Sequence, residues 1–119
     1  MTKILIVDDD IPATAMLYKV LSGEGFEAIV INESAKAVQL ARSIFPDVFL
    51  LDLMMPEPDG FKLCRLLRSD PNFTDTPIII ITALDDSDSK LVAFGAGAND
   101  YLTKPYNIKE LAQRVRALI

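Results

Sequence analysis

Val48-Phe49-Leu50-Leu51-Asp52 is the stretch on which the fold turns. Four apolar residues without alternation read as a strand buried on both faces, the condition of a parallel sheet covered by helices on each side. A carboxylate ending so apolar a run would be costly to desolvate without a purpose, which makes Asp52 a candidate functional group. The same pattern recurs along the chain. Ile4-Leu5-Ile6-Val7 runs into Asp8-Asp9-Asp10, Ile78-Ile79-Ile80-Ile81 into Thr82, and the shorter Tyr101-Leu102-Thr103 into Lys104-Pro105. Carboxyl ends of strands in an open parallel α/β sheet share one edge, and ligands bind in the crevice there. Carboxylates, a hydroxyl and an ammonium converging on that edge suit a divalent cation and a phosphoryl group.

The segments between these runs carry apolar residues at helical spacing. Ala13, Leu17, Val20 and Leu21 share one face, Ala37, Leu40, Ala41 and Ile44 another, and Ile108, Leu111, Ala112 and Val115 a third. Pro12 suits a first helical turn, and Gly25 and Gly97 stand where helices should end. Strands are expected near 3–8, 27–32, 48–53, 78–82 and 100–103 (β1 to β5), and helices near 11–23, 34–45, 59–69, 86–96 and 107–119 (α1 to α5). Right-handed crossovers then give a five-stranded doubly wound α/β sheet. Asp10 is expected to cap the first helix, and the acids of Asp85-Asp86-Ser87-Asp88-Ser89 to open the fourth.

Composition fits one compact domain over residues 1–119, half of it apolar. A net charge of −5 argues against nucleic acid or an anionic membrane as a direct ligand, since both reward clustered Lys and Arg. Any DNA-binding activity would need another domain, for which the chain's stop at the last helix leaves room. The single cysteine, Cys64, excludes an internal disulfide and shares a helical face with Leu63 and Leu67, which makes it a packing thiol. With no long apolar stretch and no signal-like start, the expected location is the cytosol.

ILIVDDD, LLDLMMPEPDG, IIIITA and GANDYLTKPYNIKEL stand in an order and approximate spacing that resemble the receiver domain of two-component response regulators. The resemblance covers essentially the whole chain. It implies a flavodoxin-like fold with strand order 2-1-3-4-5, whose β1/β3 switch point lies between Asp9 and Asp52. It implies that Asp52 accepts a phosphoryl group from a phosphohistidine on a partner kinase or phosphotransfer protein. The chain contains no histidine, so it cannot supply that donor itself. The metal, Mg²⁺ with Mn²⁺ as a substitute, would be held by Asp9, Asp52 and the backbone carbonyl of Met54, with Asp8 acting through water. Lys104, aimed into the pocket by a cis Lys104-Pro105 bond, and Thr82, followed by the small Ala83, would bind the phosphoryl oxygens. Tyr101 would rotate inward behind Thr82 and repack the face made by α4, β5 and α5. In the transcription-factor branch of the family that face forms symmetric dimers, through pairs here matched by Lys90 with Glu110 and Asp100 with Arg114. The protein would thus be a phosphoacceptor switch, not an enzyme acting on a separate substrate.

Other chemistries fit the residues less well. A haloacid-dehalogenase-type phosphatase needs an acid two positions after the nucleophile, where Met54 stands. A flavodoxin-like FMN site wants a phosphate loop after β1, where three acids stand instead. The acidic run 85–89 fails as an EF-hand, because Lys90 and Leu91 occupy ligand and glycine positions. No P-loop or G-x-G-x-x-G pattern occurs. A receiver acting only as an unphosphorylated binding module is opposed by the intact set Asp9, Asp52, Thr82 and Lys104.

Overall fold

Strands and helices alternate along the chain in the computed structural model, which describes residues 1–119. The strands are β1 (Lys3–Val7), β2 (Glu27–Ile31), β3 (Val48–Leu51), β4 (Ile78–Thr82) and β5 (Asp100–Thr103). The helices are α1 (Ile11–Gly23), α2 (Ala37–Ile44), α3 (Gly60–Ser69), α4 (Ser87–Gly95) and α5 (Ile108–Leu118). Every strand pairing is parallel, in the expected order β2-β1-β3-β4-β5.

Side chains alternate across a strand, so each apolar run feeds two cores at once. Leu5, Val7, Phe49, Leu51, Ile78 and Ile80 pack with Leu63, Cys64 and Leu67 of α3 and Ala93 of α4. Ile4, Ile6, Leu50, Ile79 and Ile81 pack with Leu17 and Leu21 of α1 and Leu111 and Val115 of α5. Full burial of each large side chain contributes about 1.5–3 kcal/mol, which is why the central strands tolerate no polar residue until their ends. The Cys64 thiol is buried and points at the Ala96 carbonyl, as a packing residue would be.

Helix starts follow the capping chemistry in the sequence. Asp10 accepts a hydrogen bond from the Ala13 N–H, Asp59 from Lys62, Asp86 from Ser89, and Asn107 from Lys109 and Glu110. Gly25 and Gly97 adopt φ of 91° and 114° after the ends of α1 and α4, a region that favours glycine. Three expectations need adjustment. The segment 34–45 begins as a 3-10 turn, Ser34–Lys36, because the buried Ser34 hydroxyl donates to the Pro56 carbonyl and pins that turn to the β3–α3 loop. The same segment stops at Ile44, since Pro46 disfavours helical backbone at the residue before it; Phe45 instead takes φ of 48°. Ile108, assigned to the inner face of α5, sits in its first turn beyond the edge of the core and is 36% exposed.

Register sets the functional edge. Val7 stands beside Leu51, and the Asp52 N–H donates to the Val7 carbonyl at 3.1 Å, so the residues following β1 and β3 emerge together. Thr82 stands beside Thr103, and the Lys104 N–H donates to the Thr82 carbonyl at 2.8 Å.

Candidate functional site

Lys104 closes the edge of the sheet by reaching across it. Its Nζ donates to Asp8 Oδ2 and to Asp52 Oδ2, each at 3.1 Å, joining residues at the ends of β5, β1 and β3. The other oxygen of each acid is held by its own loop. Asp8 Oδ1 accepts from the Asp10 N–H at 3.0 Å, and Asp52 Oδ1 from the Met54 N–H at 3.1 Å. Asp8, Asp52 and Thr82 are buried, whereas Asp9, Met54 and Ala83 are exposed at the rim. The Lys104–Pro105 bond is cis, as expected, and so is Glu57–Pro58, which no pattern in the sequence had marked.

The electrostatics follow from two carboxylates sharing one ammonium. Burial pushes the Asp8 carboxyl above its ordinary pKa, and the Asp10 N–H and Lys104 only partly offset this. Burial also works against the charge on Lys104, but the hydrogen bonds and attraction of Asp52 and Asp8 outweigh it and raise the pKa of the ammonium. Lys104 is therefore held in its protonated form between the two acids.

A divalent cation fits this donor set. The acidic side chains do not form a ready-made three-ligand cage. Mg²⁺ characteristically takes one or two carboxylates and keeps several waters, so a buried acid pair with Asp9 at the open rim suits it better than an all-protein cage would.

Around the pocket, Thr82 Oγ1 faces the Leu84 N–H at 3.5 Å. The Tyr101 ring is already buried, and its hydroxyl donates to the Leu84 carbonyl at 2.6 Å, tying β5 to the loop that follows Thr82. Lys90 lies 5.8 Å above that ring and pairs with Asp85 at 2.9 Å. Arg114 pairs with Asp100 at 2.5 Å and with Glu110 at 2.9 Å within the single chain. Of the four charged residues expected at a dimer face, Asp100 and Arg114 are thus brought together internally, while Lys90 and Glu110 are not in contact with each other.

Gly60 belongs to the site although the sequence reading passed over it. A Cβ there would stand 2.1 Å from the Asp52 carbonyl oxygen and 2.6 Å from Leu53 Cα, so only glycine lets α3 start against the backbone that carries Asp52. The signal was present as a glycine directly after the capping Asp59.

With this geometry in place, comparisons with known proteins agree. A family model described as "Response regulator receiver domain" matches residues 4–116. The chain is 44% identical over 115 residues to the "DNA-binding response regulator MtrA" of Mycobacterium tuberculosis, covering 97% of this chain and 49% of that protein. It is 42% identical over 120 residues to the "DNA-binding dual master transcriptional regulator RpaA" of Synechocystis sp., covering 100% of this chain and 49% of that protein. The chain thus spans about half the length of these relatives. Among solved structures, a putative response regulator from Chloroflexus aurantiacus superposes with a TM-score of 0.94 at 38% identity, over 98% of this chain and 96% of that one. The chain belongs to the receiver domain family of two-component response regulators.

Proposed function

We propose that this domain is a phosphorylation switch in which Asp52 accepts a phosphoryl group from a phosphohistidine on a partner kinase or phosphotransfer protein. The observation that carries the reading is the bridge from Lys104 to both Asp8 and Asp52 at the β1/β3 switch point, beside the buried Thr82. An Asp52 carboxylate oxygen attacks phosphorus while the P–N bond to the donor imidazole breaks, the leaving nitrogen keeping the electron pair. Lys104 and Thr82 bind the equatorial oxygens, so the ammonium trades one carboxylate partner for the phosphoryl group. Asp9, Asp52 and the Met54 carbonyl would hold Mg²⁺ or Mn²⁺, with Asp8 acting through water. When bound, the cation neutralises the charge that the two carboxylates and the phosphoryl group bring together.

A phosphoryl group adds about −1.5 to −2 charge at neutral pH, enough to redirect short hydrogen bonds. Thr82 moves toward the new oxygens, and the Leu84 carbonyl that holds Tyr101 moves with its loop. The consequence is a repacked α4-β5-α5 surface. Because Arg114 and Lys90 are paired within one chain, a symmetric dimer through this face exchanges ionic partners rather than gaining new ones. The exposed Leu91, beside Lys90, supplies apolar area for such a contact. Two relatives of twice this length are named as DNA-binding, and we propose an output region of that kind in the full protein, reached through this surface and not by direct contact of this domain with DNA. No helix of the domain is long and apolar enough to cross a membrane.

Incubation with acetyl phosphate and Mg²⁺ tests the reading. Intact mass should show one added, hydroxylamine-labile phosphoryl group, and chelation of the metal should suppress it. Absence of any acyl phosphate in the presence of metal and donor would overturn the proposal.

A further inference from the structure

Asp8 is the last residue that β2 can support, because β2 ends at Ile31 and the Asp8 N–H makes the final ladder bond, 3.3 Å to the Ile31 carbonyl. The Asp8 carbonyl has no strand partner beyond that point, yet the residue is 3% exposed and cannot leave a polar group orphaned. The partner is Asn32, the residue just past β2. Its Nδ2 donates to the Asp8 carbonyl at 2.8 Å and to Thr14 Oγ1 at 2.9 Å. Thr14 is 1% exposed, and its hydroxyl donates onward to the Ile11 carbonyl at 3.0 Å. Strand β2, the acidic loop and the first turn of α1 are thus joined through one side-chain amide.

We propose that Asn32, backed by Thr14, is a positioning residue for the acidic pocket. It fixes the peptide between Asp8 and Asp9, and with it the directions in which both carboxylates leave the backbone. The inference rests on the phosphoryl-switch reading for its purpose. The mechanism is local. Without the amide, the Asp8 carbonyl gains a partner only by rotating toward water, which turns the same peptide whose other end carries Asp9 and drags Asp8 away from the Asp10 N–H and Lys104. Groups that hold a ligating residue from behind typically change metal affinity by about 10–100-fold when removed.

The test uses the full chain with Asn32→Leu and Thr14→Val, which keep bulk while deleting the hydrogen bonds. One readout is the Mg²⁺ concentration giving half the maximal rise in melting temperature. The other, needing no metal, is the exchange rate of the Asp10 amide, whose acceptor is Asp8 Oδ1. Asn32→Leu should raise the half-saturating Mg²⁺ about tenfold and speed Asp10 exchange, and Thr14→Val, which spares the bond to Asp8, should shift the Mg²⁺ value about threefold. An unchanged Mg²⁺ value in Asn32→Leu overturns the proposal whatever happens to the metal-free melting temperature, since the amide would then serve only to anchor α1. Should Asn32→Leu not fold, an unchanged value in Thr14→Val has the same force. If the unmutated protein does not respond to Mg²⁺, the phosphoryl-switch reading fails, and Asp10 exchange alone then decides the role of Asn32: faster exchange sustains it, unchanged exchange overturns it.

Discussion

Replacing Lys104 with methionine removes the only cation joined to the Asp8 and Asp52 carboxylates while keeping most of the stem that packs beside them. Both acids are nearly buried, with side chains 4% and 10% exposed, so the variant leaves two carboxyl groups facing each other with little water and no cation between them. Breaking a fully buried pair costs about 3–5 kcal/mol. The Lys104 side chain retains 26% exposure, and the solvent that reaches it lowers the expected cost to about 2–3 kcal/mol. For a domain of this size each kcal/mol moves the melting temperature by about 4 °C, so a drop of about 8–12 °C is expected in chelator at neutral pH. Adding Mg²⁺ should narrow the gap, because the cation competes with Lys104 for the same acids in the unmutated protein and meets no competitor in the variant. Lys62→Met is the control: its pair with Glu57 is exposed on both sides, and its loss should cost no more than about 1 kcal/mol. Parallel melts of the three proteins, with chelator and with Mg²⁺, make the comparison. Equal melting of Lys104→Met and the unmutated protein in chelator, or a gap that widens with Mg²⁺, would refute the electrostatic account of the pocket.

Three further outcomes are expected. The Asp70 carboxyl is held below its ordinary pKa by the Asn72 N–H and by Arg42, so it adds stability above the usual carboxylate range that disappears as pH falls through its depressed value; the melting gap to Asp70→Asn should therefore close in acid, and a gap constant with pH would contradict this. Met54 and Leu84, the residues two beyond Asp52 and Thr82, cannot orient an attacking water; Met54→Asn with Leu84→Glu should shorten the lifetime of the acyl phosphate, measured by loss of label, and an unchanged lifetime would count against that reasoning. A beryllofluoride-activated domain should shift from monomer toward dimer in sedimentation, and Arg114→Glu should prevent the shift while Asp52 still labels; a domain that stays monomeric when activated at high concentration removes the dimer proposal alone.

The strands were legible because burial on both faces forces short uninterrupted runs such as Ile4-Leu5-Ile6-Val7, each bounded by turn-like residues, whereas their order was implied only by the resemblance to receiver domains. Asp52 and Lys104 were legible for a related reason: ionisable residues placed where such runs stop have no structural excuse. The cap Asp10 and the acidic start of α4 spoke through local chemistry, which needs no tertiary context, although Asp86 proves to be the cap of α4 and not part of its first turn. What stayed hidden depends on partners distant in sequence. The 3-10 start of the second helical segment reflects the bond from Ser34 to Pro56, the inward Tyr101 reflects the Leu84 carbonyl, and the amide of Asn32 matters only because β2 ends where Asp8 still needs an acceptor's partner. Ile108 fitted the helical period of its neighbours, yet its place in the first turn puts it past the core it was expected to cover.

The most direct test of the central claim is the mass of Asp52→Asn after incubation with acetyl phosphate and Mg²⁺, beside the unmutated protein under the same conditions. The unmutated chain should carry one phosphoryl group, stable in acid and released by base or hydroxylamine, and the variant should carry almost none. Full labelling of Asp52→Asn would place the acceptor elsewhere and contradict the assignment of the pocket that Lys104 closes.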